Sequence, residues 1–162
     1  MTLDEAFRTA FRLHPAGVSV LAADDGEGPV GLTITSLISV TSSPPTVGFS
    51  LSSMSSSSPH ILKAGTLVIH LLRQQDQWLG ELCSTKGADR FGPDVAWERL
   101  PTGEPRYTAV GTWFRARIVG TLDVNGSTLV AAELLEGAAL GNGPELSTMV
   151  YMDRRWHGVS PT

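Results

Sequence analysis

The chain has 162 residues, 41% hydrophobic and 17% charged, with a formal net charge of −4. That length can bury one sizeable core and predicts a single domain over residues 1–162, while the negative charge, with no Lys/Arg cluster, argues against a nucleic-acid backbone as partner. Met1-Thr2-Leu3-Asp4-Glu5 has neither the basic start nor the apolar run of a secretory signal, and no apolar stretch approaches the roughly 20 residues that cross a bilayer, so no membrane contact and a cytoplasmic location are expected.

Leu3, Ala6, Phe7, Ala10 and Phe11 recur at helical spacing with Asp4, Glu5, Arg8 and Arg12 between them, which predicts a short amphipathic helix ended by His14-Pro15 and Gly17. Val18 to Ala22 reads as a strand, and the turn-like Asp24 to Pro29 leads into a second strand, giving a hairpin. In that second strand Val30, Leu32 and Ile34 alternate with Gly31, Thr33 and Thr35, so one face is apolar and the other carries small groups and hydroxyls. Leu37 to Val40 continues towards Pro44-Pro45. Val47, Phe49 and Leu51 then alternate with Gly48, Ser50 and Ser52 in a further strand with a hydroxyl face.

Ser52 to Ser58 is serine throughout except Met54. Its composition suits a flexible linker, yet Ser58-Pro59 is also a helix start, with serine as N-cap and proline in the first position. Thr66 to Leu72 reads as a buried strand, and Asp76 to Ser84 as a helix showing Trp78, Leu79 and Leu82 to the core. Ala88 to Tyr107 is rich in Gly, Pro and charge and is expected to be mostly loop, anchored by Trp97 and Leu100. The alternating run Trp113 to Ile118 and the apolar run Leu129 to Leu135 flank Asn125-Gly126, a two-residue turn signal, so they form a second hairpin. Met149 to Met152 supplies a last short strand. With 17 glycines, 10 prolines and few helices, these strands favour an all-β barrel over a doubly wound sheet.

Two hydroxyl-faced strands, around Thr33-Ile34-Thr35-Ser36 and Ser50-Leu51-Ser52, together with a serine-rich loop opening a helix, are the most suggestive local feature. A helix start offers free N–H groups to a phosphate, and Ser56, Ser57 and Ser58 would add hydroxyls; the alternative is a solvated loop with an ordinary cap. Asp89-Arg90-Phe91 sets an acid, a guanidinium and an aromatic in a Gly-rich loop, which suits either a surface turn or an anionic planar ligand. Cys83, the single cysteine, is expected to be a small buried hydrophobe. Gly48-Phe49-Ser50-Leu51-Ser52 lacks the final glycine of a nucleophile elbow, and no dinucleotide or Walker loop is present. His14, His60, His70 and His157 have no second ligand at convincing spacing, so no metal is expected.

In chain order, Phe11-Arg12-Leu13-His14-Pro15-Ala16-Gly17-Val18, Gly31-Leu32-Thr33-Ile34-Thr35-Ser36, Ser39-Val40 with Pro44-Pro45, Asp89-Arg90-Phe91 and Val150-Tyr151 resemble the flavin reductase-like family of FMN-binding split barrels. The resemblance runs from about Ala6 to Trp156. It implies a six-stranded antiparallel split β-barrel with peripheral helices, a homodimer with flavin near the subunit interface, and reduction of FMN, or alternatively FAD, by NADH or NADPH. Reduced flavin would pass to a monooxygenase. It also implies that Thr33, Ile34, Thr35 and Ser36 lie along the isoalloxazine and ribityl, that Ser50, Leu51, Ser52, Ser56, Ser57 and Ser58 approach the phosphate, and that Cys83 and Ser84 stand close to the flavin. Asp89, Arg90 and Phe91 would close the site, and no side chain is expected to act as a catalytic group, because hydride transfer needs position more than a nucleophile. The chain departs from the family where Gly-Asp-His is usual, reading Asn125-Gly126-Ser127. That departure keeps open a flavin carrier that does not oxidise NAD(P)H, and a partner-binding barrel without cofactor is the third reading.

Overall fold

A computed structural model describes residues 1–141 and 147–159. Helix α1 (Leu3–Arg12) is capped by Thr2, whose hydroxyl accepts from the Glu5 N–H while the Glu5 carboxylate accepts from the Thr2 N–H. Strands β1 (Ala16–Gly17), β2 (Ser19–Asp24), β3 (Pro29–Ile34), β4 (Ile38–Ser42) and β5 (Pro45–Ser52) follow, then helix α2 (Ser58–Ala64) and β6 (Thr66–Leu71). Helix α3 (Gln77–Leu82), β7 (Trp97–Arg99), β8 (Pro105–Tyr107), β9 (Trp113–Val124), β10 (Ser127–Ala138), β11 (Thr148–Met152) and β12 (Arg155–Val159) complete the order.

The main sheet is antiparallel in the order β3-β2-β6-β9-β10-β5-β4. Six of its strands send side chains into one interior: Leu21 and Ala23 from β2, Ile34 from β3, Phe49 and Leu51 from β5, Leu67 and Ile69 from β6, Ala116 from β9, and Val130 and Ala132 from β10. Ile61 of α2 closes that core at one end. Strands at opposite ends of the ladder can share one interior only if the sheet curls, and β3 and β5 face each other across its split. β4 is the outer edge. A second core, holding Val20, Ala22, Leu72, Leu79, Cys83, Tyr107 and Met149, lies between the sheet and the α3 side of the molecule.

Both expected hairpins form. Asn125 and Gly126 have φ of 45° and 86°, the left-handed pair that a tight β9–β10 turn requires. The expected loop from Ala88 to Tyr107 contains the β7–β8 ladder, which the glycines and prolines around it conceal, and Met149 to Met152 is followed by one more strand, β12. In α3, Leu79 is buried but Trp78 is exposed, because one turn of so short a helix shows only one face to Leu72 and Tyr107. Helix α1 buries no residue, so its apolar stripe faces outward rather than into either core.

Candidate functional site

Among the described residues, the split between β3 and β5 is bridged by hydrogen bonds between Ser36 and Ser50. The Ser36 hydroxyl accepts from the Ser50 N–H at 3.0 Å and donates to the Ser50 carbonyl at 3.3 Å. Period-two alternation places Ile34, Phe49 and Leu51 inside the barrel, so Thr35 and Ser50 project outward beside this bridge. Thr35, Ser36 and Ser50 line one wall of a cleft of about 1290 Å³. Helix α1 forms the opposite wall with Phe7, Arg8, Phe11 and Arg12, and Tyr151 and Arg154 close one side.

The outer face of β3 is covered further along the strand. Thr33 donates its hydroxyl to the Gly80 carbonyl at 2.7 Å and its N–H to the Cys83 carbonyl at 3.2 Å, while the Ser84 hydroxyl donates to the Gly80 carbonyl at 2.8 Å. Arg90 donates to the carbonyls of Gly31 and Thr85, which ties its loop over β3. Behind it, Tyr107 donates its hydroxyl to the Arg90 carbonyl at 2.8 Å and stacks on Phe91 with ring centroids 5.0 Å apart. The Tyr107 N–H donates to His70 Nε2 at 2.9 Å, and His70 Nδ1 in turn donates to the Val20 carbonyl at 2.9 Å. Burial pushes the His70 imidazole down to about 4, against a weaker opposing pull from the Val20 carbonyl, so the ring is neutral. Burial likewise raises both the Cys83 thiol and the Tyr107 phenol, leaving all three groups uncharged.

The serine-rich segment forms a third group at the end of β5. Ser58 donates its hydroxyl to the Ser52 carbonyl at 2.8 Å, and Ser57, not Ser58, is the N-cap residue of α2. Ser57 and Ser58 are buried, whereas Ser52 and Ser56 are exposed. Ser127 pairs with Ser52 across the β10–β5 ladder, and the Gly126 carbonyl accepts from the Ser53 N–H at 2.9 Å.

The expected site residues therefore separate by role. Thr35, Ser36 and Ser50 share the cleft. Thr33, Cys83, Ser84, Arg90 and Phe91 assemble behind it as hydrogen-bonded support, with the Arg90 guanidinium engaged by backbone carbonyls rather than presented as an anion clamp. Ile34, Leu51 and Cys83 turn their side chains into the two cores, so only their backbones could reach a ligand. Ser57 and Ser58 are withdrawn by the packing of α2, whereas Ser52, Ser53 and Ser56 are exposed, the Ser52 hydroxyl accepting from the Met54 N–H at 3.1 Å. His60 is not isolated. Its Nδ1 lies 2.8 Å from Asp25 Oδ2 and 3.4 Å from Glu27 Oε2, because α2 packs against the β2–β3 turn. The cleft residues Phe7, Arg8, Arg12 and Arg154 were not legible as a site; α1 reads as an ordinary amphipathic helix, and its distance in sequence from Arg154 hides their meeting.

A family model described as a flavin reductase like domain matches residues 11–160. A protein of Rhodococcus qingshengii named NADH:FMN oxidoreductase is 40% identical over 124 residues, which cover 76% of this chain and 65% of that relative, so the chain spans just under two thirds of it. A protein of Ancylobacter novellus named FMN reductase (NADH) RutF is 30% identical over 160 residues, 98% of this chain and 86% of that one. Among solved structures, a flavin reductase domain protein from Arthrobacter sp. FB24 superposes with a TM-score of 0.91 at 27% identity, covering 99% of this chain and 98% of that one. The styrene monooxygenase flavin reductase of Pseudomonas putida S12 gives a TM-score of 0.81 at 25% identity, covering 96% and 98%. The match over residues 11–160 and the 30% identity to the Ancylobacter relative over 86% of its length assign the chain to the flavin reductase-like domain family.

Proposed function

We propose that this chain binds FMN along the Thr35–Ser36–Ser50 edge of the split and reduces it with NADH or NADPH. The observation that carries this reading is the cleft itself: a hydroxyl-lined wall, open to a volume of about 1290 Å³, with a family match along nearly the whole chain. The donor chemistry fits a flavin, because hydroxyls that both give and accept hydrogen bonds suit a ring edge bearing carbonyl oxygens, ring nitrogens and one N–H. Thr35 and Ser50 would offer their hydroxyls to the ring edge and ribityl, Ser36 would fix the wall between them through its bridge to Ser50, and the serine-rich loop after β5 would take the phosphate.

Flavin held by Thr35, Ser36 and Ser50 would supply the redox chemistry, as the acceptor of a hydride from the reduced nicotinamide nucleotide with a proton from solvent. The protein's part is placement and polarity. The buried chain from His70 through Tyr107 to the Arg90 carbonyl holds the loop over β3 without a charge, and the Ser36–Ser50 bridge fixes the spacing of the split. Preference for FMN is supported by the names of the relatives in Rhodococcus and Ancylobacter.

The family homodimer is supported by an apolar groove of about 440 Å³ on the outer face of β4, β5, β9 and β10, where Ile38 and Leu122 are 62% and 61% exposed. A monooxygenase as recipient of reduced flavin is supported by the likeness to the styrene monooxygenase flavin reductase. No described helix is long and apolar enough to cross a membrane, and a cytoplasmic site is proposed because reduced nicotinamide nucleotides are held there. The single-domain reading is supported by a family match that leaves few residues outside it.

One observation favours a second reading. Ser127 stands where the resemblance to the family implies the usual histidine, so a flavin carrier that does not oxidise NAD(P)H is the competitor. Steady-state assay with added FMN separates them: nucleotide oxidation that depends on FMN and protein supports the reductase, and tight FMN binding with no oxidation supports the carrier.

A further inference from the structure

The wall of the cleft opposite the serines is unusual for a surface helix. Phe7 and Phe11 are 60% and 61% exposed, with ring centroids 4.7 Å apart, and Phe11 lies 5.7 Å from His14 in an edge contact. Arginines interleave with them. Arg12 is occupied, since its Nε donates to Asp153 Oδ1 at 2.7 Å while its carbonyl accepts from the Asp153 N–H at 2.7 Å. That pairing holds the Asp153 carboxyl below the usual carboxylate range and locks the end of α1 to the β11–β12 turn.

Arg8 and Arg154 line the same cleft, and no carboxylate among the described residues pairs with either. Arg154 has a φ of 59°, next to Asp153 at 53°, so the β11–β12 turn is built to hold it at its tip. Glu5, the other acid lining the cleft, is spent on the capping box of α1. Two unpaired guanidiniums and an exposed aromatic pair thus face a space whose far wall is the proposed flavin edge. A chain with net charge −4 has no general excess of cations to scatter here.

We infer that α1 and the β11–β12 turn form the dinucleotide subsite of the cleft, in which Arg8 and Arg154 take the diphosphate of the pyridine nucleotide and Phe7–Phe11 carries its adenine. The inference rests on the proposed reductase function for the identity of the ligand. Guanidiniums suit a diphosphate because they offer planar paired donors, and an exposed phenyl pair suits a purine through stacking. The subsite also accounts for nucleotide binding without an imidazole at position 127: affinity would come from the diphosphate and adenine, leaving the nicotinamide end to be positioned by the flavin.

The probe is ADP-ribose, which carries the diphosphate and adenosine but no nicotinamide, titrated calorimetrically into the FMN-loaded protein. Binding should weaken by roughly 10-fold or more in Arg8→Gln/Arg154→Gln and by roughly 3- to 10-fold in Phe11→Leu. The double Lys variant should recover part of the loss. The FMN dissociation constant should stay within about twofold, and the KM for NADH should rise with the ADP-ribose constant. Unchanged ADP-ribose binding in the arginine variant overturns the inference, as does a parallel loss of FMN affinity, which would give these arginines to the flavin phosphate. So does a Phe11→Leu variant that shifts only the dimer equilibrium, which would give the aromatic pair to a second copy. If the wild-type protein oxidises no NADH yet binds ADP-ribose through Arg8 and Arg154, the reductase function fails while this subsite stands.

Discussion

Ser36 and Ser50 exchange two hydrogen bonds across the barrel's split, the hydroxyl of one serving both the N–H and the carbonyl of the other. Two residues further on, at Ile38, the backbone ladder of β4 with β5 begins. Ser36→Ala removes both bonds and leaves the Ser50 N–H without a partner in a half-buried place. The expected cost is about 1–2 kcal/mol of stability, together with weaker FMN binding. Denaturant unfolding and FMN fluorescence quenching read the two effects separately.

Thr35 is exposed on the cleft wall, and among the described residues its hydroxyl makes no hydrogen bond. Thr35→Val preserves shape, so stability should change by less than about 0.5 kcal/mol. FMN affinity should fall roughly 3- to 10-fold if the hydroxyl meets the flavin edge. Unchanged affinity would remove Thr35 from the site.

His70 ties stability to pH. Its imidazole is neutral in the fold, with its pKa near 4 against 6.5 when free, so between those values the unfolded chain takes up a proton that the folded chain does not. Stability should be fully present above about pH 6.5 and fall as pH drops towards 4, by about 3 kcal/mol in total from this group. His70→Gln should flatten that part of the curve, measured as unfolding free energy at a series of pH values.

Gly31 is the narrowest point behind the site. A Cβ there would stand 2.6 Å from the Tyr107 hydroxyl oxygen and 3.2 Å from Cys83 Sγ. Gly31→Ala should cost about 1–3 kcal/mol by overpacking. Tyr107→Phe alone should cost about 1–2 kcal/mol by leaving the Arg90 carbonyl unpaired, and the double variant should cost less than the sum, since the clashing oxygen is gone.

Leu122 lies in the apolar groove outside β9 and β10. Leu122→Glu should dissociate the proposed homodimer without unfolding the chain, which sedimentation would show as a shift to the monomer mass. A wild-type protein that already sediments as a monomer would contradict the interface.

Local chemistry made much of this molecule legible. Asn125-Gly126 marks the β9–β10 turn, Asp24 to Pro29 marks the β2–β3 turn, and strict alternation at Val30–Ile34 and Val47–Leu51 shows which faces enter the barrel. What escaped was set by contacts distant in sequence. Tyr107 carries no local mark of being the buried link between His70 and Arg90, because its partners lie 37 and 17 residues away. The β7–β8 ladder is three residues long on each side and lacks an alternating pattern to announce it. Serine runs suggest open hydroxyls at Ser57 and Ser58, yet the packing of α2 buries both, and Ser58 donates its hydroxyl to the Ser52 carbonyl. The arginine and phenylalanine wall of the cleft is a meeting of the first helix with the last hairpin, which no window of sequence contains.

The most direct measurement is anaerobic stopped-flow absorbance of the FMN-loaded protein mixed with NADH and, separately, with NADPH, following the visible flavin band. A reductase bleaches that band rapidly with at least one nucleotide, at a rate that saturates with nucleotide concentration. Bound flavin that keeps its colour with both would contradict the reductase function and leave a protein that holds flavin without reducing it.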